Sequence, residues 1–206
     1  MVAAERDSSQ PQELDSLLEQ VRRSVKKNFP SISPEDDRSK LPTAAVCMIL
    51  EPADLKNSLD ILLLKRRSFE GDPWSGQIAF PGGRSKPGEA PLNTVSREVM
   101  EESGIDLEKC EVVGTIAEVF PGNFSIRVIP FIAIAPPKIG VKIDNHEIED
   151  YFWVPTSYFL DKNNSSIHSF SRRGRSVEAP AFVYEGKYVI WGMTLRIIED
   201  LLSSLN

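Results

Sequence analysis

Between Phe80 and Ile105 the chain sets a turn rich in glycine and proline, FPGGRSKPGE, directly before a segment that crowds Glu98, Glu101 and Glu102 beside Arg97. On an α-helix advancing about 100° per residue, Glu102 falls roughly 40° to one side of Glu98 and Glu101 roughly 60° to the other. Three carboxylates then share one arc. Like charges at this spacing repel by about a few tenths of a kcal/mol per i,i+4 pair, and partial burial raises at least one pKa. A divalent cation removes both penalties. Carboxylate oxygens are the ligands Mg²⁺ prefers, and Mg²⁺ commonly keeps waters and bridges to phosphates. Arg97 carries the planar donor set that orients a carboxylate. Taken alone, a glutamate-rich helix face reads first as a solvated surface, so the spacing of the whole stretch has to decide.

The elements that would position these groups follow from periodicity. Leu92, Val95 and Val99 form an apolar stripe beside the acidic arc, suited to docking on a sheet. Gly104 stands where a helix commonly ends in a left-handed turn. Apolar runs at Thr43–Glu51 and Asp60–Arg67 predict strands joined by a loop, with a short strand at Gly76–Phe80 leading into the turn. Cys110–Phe120, Ser125–Ala135 and Asp150–Pro155 predict three more. Helices are expected near both ends. Leu14, Leu17, Leu18, Val21 and Val25 recur at helical spacing in the first, and Met193, Leu195, Ile198, Leu201 and Leu202 in the second. This order of strands and helices predicts an α/β or α+β fold with a mixed sheet between helices. Residues 1–40 are expected to be a helical extension and linker, and residues 41–206 the main domain.

Among 206 residues the formal net charge is −6, which argues against a general nucleic-acid binder. It does not argue against small phosphorylated ligands, because a metal can reverse the sign of a site. No apolar run is long enough to span a bilayer, and the acidic start MVAAERDSSQPQELD does not resemble a secretory signal. The default expectation is a cytoplasmic protein, without a membrane partner, whose Cys47 and Cys110 remain free thiols.

Read from Gly83, the chain places Glu89 six positions on and then Arg97-Glu98-Val99-Met100-Glu101-Glu102-Ser103-Gly104-Ile105. This resembles the Nudix box, G-x5-E-x7-R-E-U-x-E-E-x-G-U with U a bulky aliphatic, and every defined position is matched. The resemblance implies an α/β/α sandwich with the box as a loop–helix–loop, and hydrolysis of a nucleoside diphosphate linked to another moiety with Mg²⁺ or Mn²⁺. Glu98 and Glu102 would be the main metal ligands. Glu101 would be a further ligand or the water-activating base, and a carbonyl of the Gly82-Gly83 turn would add an oxygen. Arg97 and Glu89 would orient the cluster. In this family the base sometimes lies on a later loop, where Glu147 is the first candidate and Glu149 the second. The substrate partner would be a small nucleotide. Nudix enzymes are often dimers, so a homodimer is an open expectation.

Upstream, Leu62–Gly83 resembles the added signature of the coenzyme A pyrophosphatase branch, L-L-T-x-R-S-x3-R-x3-G-x3-F-P-G-G. Leu63, Leu64, Arg67, Ser68, Gly76 and the run Phe80–Gly83 match it, while Lys65 and Asp72 depart from it. Coenzyme A or a related ester is therefore the first substrate expected. A nucleoside triphosphate, NADH or ADP-ribose is the alternative, and a binding module that no longer hydrolyses is a third reading. Arg66 and Arg67 are candidates for phosphate contacts. Trp74, Phe120 and Phe124 could line a base pocket, and the basic stretch Ser171–Ser176 could meet phosphate. His146 and His168 read as ordinary loop residues.

Overall fold

The computed structural model describes residues 10–28, 41–53, 58–71, 74–121, 125–144, 146–172 and 174–205. The chain enters through helix α1 (Gln10–Asn28), then strands β1 (Thr43–Pro52), β2 (Leu59–Arg66), β3 (Ile78–Ala79) and β4 (Gly82–Arg84). Helix α2 (Pro91–Ser103) carries the acidic box, followed by β5 (Glu111–Thr115), β6 (Arg127–Ile134) and β7 (Ile148–Pro155). A short α3 (Thr156–Leu160) leads to β8 (Ser165–Arg172), β9 (Arg175–Tyr184) and β10 (Tyr188–Trp191), and α4 (Gly192–Ser204) closes the chain.

Strands β1 to β7 form one mixed sheet in the order β3-β2-β1-β6-β5, with β4 paired to β1 and β7 to β2. Only the central β1–β6 pair is parallel among these pairings. β1 is shared along one edge: residues 50–52 pair with β2, whereas Ala44, Ala45 and Val46 pair with β4. Alternation along the buried strands sends side chains to two cores. Ala45, Cys47 and Ile49 join Val95 and Val99 of α2 on one face. Met48 and Leu50 join α1, α4 and the β8–β10 region on the other. This is the α/β/α layering that the sequence pattern predicts.

α1 packs on this body. Val21 and Val25 lie in the second core at 0% and 3% exposure. Arg22 makes a two-pronged contact with Glu111 of β5 at 2.8 and 2.7 Å, and Ser24 Oγ donates to the Ser204 carbonyl of α4 at 2.7 Å. The exposed ion pair contributes little by itself, so the apolar seam must carry the docking. Val21→Ala is expected to lower unfolding free energy by about 1–3 kcal/mol, read from the urea midpoint at constant slope.

Two sequence expectations change. The run from Cys110 to Phe120 is a strand only over Glu111–Thr115, with an isolated bridge from Val119 to Val128 beyond it. His168, expected as a loop residue, instead lies in β8 of a second antiparallel sheet in the order β10-β9-β8, for which the sequence pattern had predicted no strands. Cys47 is buried, and both cysteines are free thiols. Among the described residues no helix is long and apolar enough to cross a membrane.

Candidate active site

The glycine turn is fixed from below by β1. Gly83 stands opposite Ala45 and Gly82 opposite Val46, and the Cys47 N–H donates to the Pro81 carbonyl at 2.8 Å. α2 starts at Pro91 and ends at Gly104, whose φ of 68° and N–H bond to Met100 O make a left-handed cap. Val95 and Val99 dock the helix at 0% exposure, but Leu92 is 45% exposed. Thr94 takes the inner place, its hydroxyl bonding Glu89 and the Ala90 carbonyl.

This docking separates the three glutamates. Glu102 is 4% exposed, and its Oε2 accepts the Gly82 N–H at 2.8 Å while Oε1 lies 3.5 Å from Arg66. Burial pushes its carboxyl up to about 7; the Gly82 N–H and Arg66 oppose the shift, and Glu98 and Glu147 add to it. Glu98 packs against Gly83, and its Oε1 accepts from Arg97 Nη1 at 2.7 Å. Glu101 points to solvent, 3.4 Å from the same Arg97 nitrogen. Arg97 also forks onto both oxygens of Glu89 at 3.0 Å. That fork, with the Lys86 N–H, holds the Glu89 carboxyl down at about 2.

Above these groups lies an open cavity of about 900 Å³, within the size range of small-molecule sites. Glu98, Glu102, Glu147 and Arg66 line it together, with Trp74, Phe120 and both glycines of the turn. Glu147 reaches it from the segment before β7, with Oε2 3.6 Å from Arg66. Glu149 does not line it and pairs instead with Lys65 at 2.8 Å. Arg67 is exposed and also outside the lining; its backbone N–H donates to the Glu147 carbonyl at 2.7 Å. Asp72, Phe124 and Arg173 lie outside the described residues.

Residues 40–173 match the family model described as NUDIX domain. The chain belongs to the Nudix hydrolase family. Its members act on phosphorus-containing anhydrides. The chain is 33% identical over 148 residues to the protein called uncharacterized Nudix hydrolase NudL of Photorhabdus laumondii, covering 70% of this chain and 77% of that one. It is 34% identical to the protein of the same name from Citrobacter koseri, over 68% and 72% of the two chains. A solved MutT/nudix family protein from Enterococcus faecalis superposes with a TM-score of 0.51 at 15% identity, over 95% of this chain and 74% of that one. That likeness concerns the fold alone.

The Nudix box can be tested for a cation on its own donors. Among the described residues, no three acidic, histidine or cysteine side chains are gathered into a cage. What the cavity does offer is two box carboxylates, one of them buried at a raised pKa, beside a turn without side chains. Such a set suits an ion that keeps waters and takes further oxygens from substrate phosphate, as Mg²⁺ does. The residues fit that group.

Among the lining residues to which the sequence reading gave no site role are Arg84, Phe170, Trp191 and Arg196. Arg84 follows the glycine turn, and its guanidinium lies 5.7 Å from the Trp74 ring centre. Its place directly after the box glycine was the available signal. Phe170 and Trp191 come from the second sheet, where alternation of Ile167, Ser169 and Ser171 with His168 and Phe170 was the signal passed over.

Proposed function

We propose that this Nudix hydrolase is a divalent-metal-dependent pyrophosphohydrolase that cleaves the diphosphate of a nucleoside diphosphate derivative, with coenzyme A or a related ester as its first substrate. The observation carrying this reading is the shared cavity of Glu98, Glu102, Glu147 and Arg66 beside the Gly82-Gly83 turn. The upstream segment supports the coenzyme A assignment, since Arg66, Trp74, Gln77 to Phe80 and the two glycines all belong to it and form one wall.

Glu98, Glu102 and the Gly82 carbonyl would hold Mg²⁺ or Mn²⁺. When bound, the cation neutralises phosphate charge and favours attack of water at phosphorus. Arg66 binds a phosphate oxygen by charge-assisted hydrogen bonds. Glu147, exposed and facing the cavity, takes the proton of the attacking water, while the bond to the second phosphate breaks and yields two phosphate monoesters. Glu101 is less well placed for this step, because it lies outside the lining and is held by Arg97. Arg97 and Glu89 act as positioning residues for Glu98.

Incubation with a panel of diphosphates in Mg²⁺ or Mn²⁺, with products resolved by chromatography, is expected to release adenosine 3′,5′-bisphosphate and 4′-phosphopantetheine from coenzyme A. Faster turnover of NADH, ADP-ribose or a nucleoside triphosphate would move the substrate within the same chemistry. Absence of turnover on every diphosphate would leave a binding module.

A further inference from the structure

Phe170 near the end of β8 and Trp191 at the end of β10 are partly exposed, line the cavity and contribute to neither apolar core. His168 completes a cluster with them. Ring centres lie 4.5 Å apart for Phe170–Trp191 and 4.6 Å for His168–Trp191, while His168 and Phe170 are within 9° of parallel. The central strand permits this arrangement. Opposite His168 and Trp191 it carries Ala179 and Ala181, which leave room for rings from the two outer strands to meet. Aromatic clusters of this size usually bury their faces in a core; here two of the three rings line the open cavity that also holds Glu98 and Glu102.

Glu98 and Glu102 reach the cavity from α2, and Phe170 and Trp191 reach it from the separate β8–β10 sheet. A ligand engaging both walls needs an anionic diphosphate at one end and a flat, weakly polar face at the other. We infer that Phe170 and Trp191, backed by His168, form a stacking shelf for the nucleobase of the substrate and so determine specificity for its nucleoside half. The inference rests on the diphosphate substrate proposed above. An extended aliphatic chain gains contact area on such a shelf but no ring-to-ring geometry, which makes the base the better occupant. Stacking against an aromatic side chain is sensitive to loss of the ring and tolerant of a change of substituent.

Calorimetric titration of the full chain in Mg²⁺, with adenosine 3′,5′-bisphosphate and separately 4′-phosphopantetheine, tests the shelf without turnover. Phe170→Ala and Trp191→Leu are each expected to weaken the adenine ligand about tenfold and the pantetheine ligand less than about twofold. Phe170→Tyr should retain adenine binding, whereas Phe170→Leu, which keeps apolar bulk but no ring, should lose it. Equal weakening of both ligands, no weakening of either, greater loss for 4′-phosphopantetheine, or rescue by Leu as complete as by Tyr would overturn the assignment. Failure of every diphosphate to turn over would remove the hydrolase reading and leave this binding result standing, so the two are separable.

Discussion

Glu102→Gln is expected to abolish most diphosphate hydrolysis, by roughly 10²–10³-fold in kcat, while leaving the fold intact. The side chain is buried and nearly isosteric with its replacement, and an amide oxygen still accepts the Gly82 N–H. What disappears is the negative charge that Arg66 meets and that a bound cation would meet. Stability should move the other way. The folded pKa, raised to about 7, stands above an ordinary glutamate's value of about 4.3, so the folded state holds its proton over that window. Ionising Glu102 therefore costs stability progressively as pH rises from roughly 4 to 7, and the cost is complete above 7. In chelator at pH 8 the variant should melt no lower than the parent. Adding Mg²⁺ should raise the parent's melting temperature through binding to the folded state and raise the variant's less. A variant as active as its parent would remove Glu102 from the site. A variant that is inactive and also unfolded would show a structural role instead.

Periodicity made the helix and central strands legible because their apolar residues repeat at 3.6 or run continuously through a doubly covered sheet. The same rule placed Glu98 and Glu102 toward one side of α2 but could not rank their burial, which depends on what the Gly82 turn does above the helix. Arg66 and Arg67 show a second limit. Arg66 is the last residue of β2 and Arg67 follows it, and successive residues of extended chain point to opposite sides. Only Arg66 lines the cavity, so a sequence reading that treats both as phosphate contacts does not separate the faces. The β8–β10 sheet was missed for a different reason. Ser165, Ser166, Ser169, Arg175, Ser176 and Glu178 are all exposed and are spread over both faces of the hairpin, so no continuous apolar run announces it. Serine and arginine around Gly174 read as loop composition. Sparse alternation of Phe170, Val177 and Ala179 held the information, and it is a weaker signal than a buried strand gives.

Gly82→Ala and Gly83→Ala should fail in different ways, although the residues are neighbours in one turn. At Gly82 the φ is +151°, and an added Cβ would sit 2.4 Å from the Ala45 carbonyl oxygen and 2.5 Å from Val46 Cα. Both are backbone atoms of the central strand and cannot yield cheaply. Backbone strain of about 1–3 kcal/mol joins overpacking of about 1–3 kcal/mol, so Gly82→Ala should lose stability first and activity as a consequence. At Gly83 the obstruction is the Glu98 carboxylate, with Cδ at 2.4 Å and its oxygens at 2.5 and 2.6 Å. A side-chain end can swing away, so the fold should survive with a melting temperature close to the parent's. Restoring an ordinary contact beyond 3.4 Å nevertheless displaces Glu98 by an ångström or more, and it must then leave its 2.7 Å bond with Arg97 or stretch it. A misplacement of ~1 Å in a positioning group can cost about 10²-fold in rate. Gly83→Ala is therefore expected to be folded by circular dichroism and slowed by that order in kcat, with higher Mg²⁺ needed for half-maximal rate. Full activity in folded Gly83→Ala protein would mean that Glu98 works from another position than the one it occupies against the turn.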